Sequence, residues 1–143
     1  MKPIAPILLT ALMIPGCATT RGDPTDSCSS KETCVVQVLV RGCSWQSIEV
    51  RPEELWVRKG YKGEVSWKLV APPGWEFAPN GIEFKEAASR EEFRESKHGA
   101  REFWWFDKNS KRGRHHYNIN VIPPGGGKVC TRDPTVMNDG EGP

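Results

Sequence analysis

The sequence has no CxxC pair, no apolar run long enough to cross a bilayer, only 3 His and 2 Tyr, and almost no net charge. Each shortage excludes something. Zinc ribbons and thioredoxin-type redox sites need closely spaced cysteine pairs. A membrane-spanning helix needs about 20 consecutive apolar residues, and the longest apolar stretch, Ile4 to Ile14, is much shorter and is interrupted by Pro6 and Thr10. Lys plus Arg total 20 against 18 Asp plus Glu, a net charge of +2 with both signs interspersed. That balance gives no footprint for nucleic acid, which is not expected as a partner. No Ser-His-Asp ordering and no isolated carboxylate pair stands out, so the chain is expected to be neither an enzyme nor a carrier of a cofactor or metal.

What is abundant points elsewhere. With 12 Pro and 14 Gly the chain has many turns and few long helices. Its 143 residues suffice for one domain with its own core. The 5 cysteines are Cys17, Cys28, Cys34, Cys43 and Cys130. An odd count in an exported chain calls for one cysteine with a separate fate. With Cys17 set aside, the others can form two disulfides, which implies an oxidising compartment.

Lys2 followed by the Ile4 to Ile14 segment has the form of a signal peptide: a short positive region, then a short apolar one. Ile14-Pro15-Gly16-Cys17 resembles the lipobox of bacterial lipoproteins. The resemblance implies that residues 1–16 are removed and that Cys17 carries the acyl chains, palmitate among them. Pro15 departs from the pattern, and cleavage by the ordinary signal peptidase after Ala18 is the alternative. Several acyl chains, at about 0.8 kcal/mol per buried CH₂, anchor a protein stably to a membrane. Ala18 in place of Asp implies the periplasmic face of an outer membrane. Residues 17–33, rich in Thr, Ser, Gly and Pro, read as a flexible tether.

From residue 34 onward the apolar positions alternate. Cys34 to Val40 reads as a central strand. Val65, Trp67 and Leu69 alternate with Glu64, Ser66 and Lys68, and Tyr117, Ile119 and Val121 with His116, Asn118 and Asn120. Shorter alternations cover Ile48 to Val50 and Leu55 to Val57, and Phe103 to Phe106 is wholly aromatic. Turn signals separate them: Lys59-Gly60, Lys62-Gly63, Pro72-Pro73-Gly74, Asn80-Gly81 and Lys111-Arg112-Gly113. The pattern predicts an all-β sandwich of about seven short strands, antiparallel or mixed, over residues 34–122. Lys85 to Lys97 is the exception, either a short helix or a solvated loop. Residues 123–143 open on Pro123-Pro124-Gly125-Gly126-Gly127 and read as a coreless tail pinned by Cys130.

Ile48-x-Val50-x-Pro52-Glu53-x-Leu55-x-Val57-x-x-Gly60, followed by Val65-x-Trp67 and closed by Tyr117-x-Ile119-x-Val121, resembles cupredoxin-like domains, with immunoglobulin-like sandwiches as neighbours. The resemblance implies the fold and argues against copper. The last loop holds His115 and His116 but no Cys, and Cys130 and Met137 lie beyond the final strand of the pattern.

Two sets of residues remain as candidates. Among three cysteine connectivities, Cys43 with Cys130 and Cys28 with Cys34 rank first, Cys34 with Cys130 close behind. The long loop from Cys43 to Cys130 is worth roughly 4–5 kcal/mol in chain entropy. The other set is a binding surface made of Trp75, Trp104, Trp105, Arg112, Arg114, His115 and His116, with an envelope protein or glycan as partner. Adjacent histidines on a strand point to opposite faces, so His115 and His116 are a poor chelate. Whether Phe103 to Phe106 is buried on both faces, with Lys85 to Lys97 as its cover, or presents two exposed rings is open from the sequence. The expected function is a small cell-envelope lipoprotein with a binding or structural role; a small periplasmic enzyme and a degenerate cupredoxin-type metal carrier are the alternatives.

Overall fold

In the computed structural model, which describes residues 27–29 and 34–140, the Val65-Trp67-Leu69 alternation lies in the middle strand of a five-stranded sheet. The strands are β1 (Ser27–Cys28), β2 (Cys34–Val40), β3 (Ile48–Arg51), β4 (Glu54–Val57), β5 (Gly63–Val70) and β6 (Glu76–Phe84). After helix α1 (Ala87–Glu92) come β7 (Phe93–His98), β8 (Glu102–Asp107), β9 (Gly113–Ile122), β10 (Cys130–Arg132) and β11 (Thr135–Asn138). One sheet has the order β3-β2-β5-β8-β7. The other runs β1-β4-β11-β9-β10, with β6 also paired to β9. Both are mixed: β2–β5, β1–β4 and β4–β11 are parallel, the rest antiparallel. The all-β reading therefore holds, with 57% of the described residues in strands. Cys17, the signal peptide at 1–16 and most of the tether lie outside the described residues.

The core follows from strand parity. Val36, Val38, Val65, Trp67 and Phe103 point inward from one sheet, and Leu55, Ile82, Phe84, Tyr117, Ile119 and Val136 from the other; all are buried. Trp67 is the centrepiece. Its indole packs edge-on against Phe84 and Tyr117, and its Nε1–H donates to the Tyr117 hydroxyl at 3.0 Å. A buried indole and phenol thus satisfy one another, as buried polar groups must.

Both disulfides have the first-ranked pairing. Cys28–Cys34 has a Cα separation of 5.2 Å and Cys43–Cys130 one of 5.1 Å. The segment after residue 122 is not an appendage. β11 inserts between β4 and β9, and Val136 is fully buried there. β10 and β11 run end to end along one side of β9, bridged by the Tyr117 N–H, which donates to the Pro134 carbonyl. The sandwich thus extends beyond 122 through Asn138.

One local expectation is corrected. Asn80-Gly81 is not a turn but lies within β6, where the register with β9 shifts between Phe77 and Ile82. A Cβ on Gly81 would come within 2.8 Å of the Phe77 Cβ, so the bulge needs glycine for close approach. Of the two readings of Lys85 to Lys97 the short helix holds: six residues of helix lead directly into β7. α1 packs on β6 and β7, and Phe93 stacks on Phe84 at 3.9 Å, so the segment closes the side of the sandwich.

Candidate functional site

Strand β8 settles the aromatic run. Phe103 and Trp105 point between the sheets, and the Trp105 Nε1–H donates to the Ile82 carbonyl at 3.1 Å. Trp104 and Phe106 point the other way, onto the outer face of the five-stranded sheet; Phe106 is 36% exposed. α1 does not lie over this face. Cross-strand pairing puts Ser66 of β5 and Lys97 of β7 on either side of Trp104, and Glu64 and Arg94 on either side of Phe106. Around the rings, Lys97 pairs with Glu64 at 3.4 Å, Lys68 with Glu102 at 3.7 Å, and the Ser66 hydroxyl donates to Glu102 at 2.9 Å. Across β5, the face continues through exposed Val70 and half-buried Val35 and Leu39.

The other predicted surface residues do not join these rings. His115 faces the core with 6% exposure, its Nδ1 2.9 Å from the Ser89 hydroxyl and its ring edge-on to Phe93. It is not a surface residue, because its parity is that of Tyr117, Ile119 and Val121. His116 and Arg114 face outward on the six-stranded sheet, where Arg114 pairs with Glu54 at 3.2 Å. Trp75 is half-buried against the core, and Arg112 is exposed just before β9. Lys111, part of the same basic stretch, lies 4.0 Å from Glu91. Arg114 and Lys111 are thus each next to a local acid.

One groove opens between the free sides of β6 and β7, with a volume of about 180 Å³. Phe84, Phe103 and Trp105 form its floor. Its polar rim is internally committed: Arg90 donates to the Phe84 and Lys85 carbonyls, and the Asn80 amide to Glu83. Such a rim leaves few groups to converge on a reacting atom.

Sequence reasoning missed a buried polar cluster at the end of the sandwich where Cys28 meets Cys34. Asp107, fully buried on β8, accepts from the Asn109 N–H at 2.8 Å and from the Asn138 side chain at 3.0 Å, joining the two sheets. Asn109 in turn donates to the Arg58 and Tyr61 carbonyls and accepts from the Gly140 N–H. Burial pushes the Asp107 carboxyl up to about 7. Nearby, burial would raise Glu92, but hydrogen bonds from Ser110 and Lys111 outweigh it and hold its carboxyl below the ordinary range. Burial also holds the His115 imidazole below its ordinary value. Single polar residues in apolar strands were the only signal of this cluster, and nothing in their spacing links them.

Among the described residues, no group of three or more His, Cys, Asp and Glu is placed to hold a metal, and no helix is long and apolar enough to cross a membrane. No protein-family model and no curated protein matches the chain.

Proposed function

We propose that the protein is an exported, lipid-tethered binding module of the cell envelope, held at the membrane through Cys17 and engaging an envelope partner through its sandwich. The observation that carries this reading is the outward pair of half-buried Trp104 and exposed Phe106 on one face of a domain closed by two disulfides. Disulfides suggest an oxidising, extracytoplasmic location, and large rings left in water mark contact surfaces. The lipobox resemblance supplies the anchor and the outer-membrane destination. The cupredoxin-like resemblance fits a binding scaffold without its copper ligands, since His115 and His116 point to opposite faces. Intact-mass spectrometry of the protein from membranes tests the anchor. A mature chain beginning at Cys17 with acyl mass is expected; one beginning later, without acyl mass, refutes it.

A further inference from the structure

We propose that the end of the sandwich remote from the Cys28–Cys34 disulfide docks in trans on an anionic lipid bilayer, with Trp45 and Val129 entering the headgroup region. This rests on the anchored-module reading above and names a second membrane as partner.

The first observation is where the exposed apolar side chains collect. Of the four large ones among the described residues, Trp45 (63% exposed), Val70 (49%) and Val129 (41%) all lie at this end. Three connections meet there, 41–47, 71–75 and 123–129. The Cys43–Cys130 disulfide ties the first to the third. A Cβ on Gly74 would come within 2.9 Å of the Pro124 Cβ, so the second packs on the third. Pro72, Pro73 and Pro124 are exposed beside them. Trp45 is propped in place: one face of its ring lies 3.6 Å from the Arg132 guanidinium, which Glu53 holds at 2.8 Å.

The second observation is charge. The three connections carry Arg41 and Lys128 and contain no Asp or Glu. The acids along their border have cations of their own. Glu49 is shared by Arg41 and Arg51, Glu53 is paired with Arg132 and Glu102 with Lys68. Glu76 adjoins Trp75, whose carbonyl accepts from Arg101. The tip thus combines apolar side chains with a net positive charge. Turns at strand ends offer no ladder of backbone groups for a peptide to extend. A bilayer interface needs none: it takes up the indole and the aliphatic side chains, while its phosphates meet Arg41 and Lys128.

The third observation is direction. The chain from Cys17 joins the sandwich at the Cys28–Cys34 end, and β5, eight residues long, separates the two ends by about 26 Å. An anchor at one end leaves the tip to meet a facing membrane.

The test uses the protein isolated from membranes and reconstituted in phosphatidylcholine vesicles, mixed with protein-free phosphatidylglycerol vesicles; light scattering reads their clustering. Clustering is expected, and it should weaken as salt is raised. Trp45→Ala and Val129→Asp, on separate connections, should each slow it about tenfold or more, and Lys128→Glu about fivefold or more. Lys59→Glu makes the same change of net charge at the opposite end and should leave clustering unchanged. Unfolding midpoints establish that each variant is folded. No clustering overturns the proposal, as does equal clustering of protein-free phosphatidylcholine vesicles, or clustering that survives both Trp45→Ala and Val129→Asp. An acylated protein that clusters nothing refutes the docking and leaves the anchor standing. A protein without acyl mass that floats with phosphatidylglycerol vesicles, and loses this on Trp45→Ala, does the reverse.

Discussion

Changing Asp107 to Asn removes a buried ionisable group while keeping its size and most of its hydrogen bonds. Asp107 is fully buried, and one oxygen, Oδ2, has no partner; Oδ1 of its neighbour Asn138 also has none. A proton on Oδ2 turns the carboxyl into one acceptor and one donor, the complement of a carboxamide. The carboxyl ordinarily titrates at 3.8 and is pushed up to about 7 in the fold, chiefly by burial. A raised folded value means the neutral form is favoured by folding. Stability is therefore fully present below the unfolded value and declines as pH rises towards 7. The difference of about 3 units corresponds to roughly 4 kcal/mol at most, of which about 2–3 kcal/mol develops between pH 5 and pH 8. Asparagine does not titrate, and its amide offers Asn138 the same donor at every pH. Urea unfolding of both proteins with disulfides intact, at pH 5 and pH 8, reads this directly. The advantage of Asp107→Asn over wild type should grow by about 2–3 kcal/mol between the two pH values. The titrations of Glu92 and His115 are common to both proteins and cancel in the difference. A variant less stable than wild type at both pH values, with the same pH slope, would refute the reasoning.

Changing Cys130 to Ser should lower the global unfolding free energy by about 2–5 kcal/mol. Limited proteolysis should show no selective trimming of the segment after 122, because β11 is held between β4 and β9. Changing Trp67 to Phe strips the Tyr117 hydroxyl of its donor in the core and leaves a gap beside it. Chemical denaturation should show a loss of roughly 2–4 kcal/mol with the outer aromatic face unaffected.

Local chemistry in the sequence determined the class of fold and ranked the disulfide pairings without choosing between them. Alternation at Val65-Trp67-Leu69 and Tyr117-Ile119-Val121 fixes which side of each strand is buried, because side chains on a strand alternate with period two. The same parity, applied to His115 and His116, separates them to opposite faces. Cys43 and Cys130 flank the first and last alternating strands, which ranked their pairing first, but Cys34 also sits at a strand end, and only the fold decided between them. What the sequence left undecided depends on neighbours distant along the chain. Thr135–Asn138 holds one strongly buried apolar residue, Val136, and becomes a central strand only because β4 and β9 offer it two free edges. Asn80-Gly81 carries a turn signal, yet pairing with β9 on either side stretches it into a bulged strand. The aromatic run had two readings of equal merit. Only the tertiary structure, by sending α1 to the side of the sandwich, left Trp104 half-buried and Phe106 exposed on the outer face. The polar cluster of Asp107, Asn109 and Asn138 was invisible for the same reason: hydrogen bonds between sheets join residues about thirty positions apart, and no local pattern encodes them.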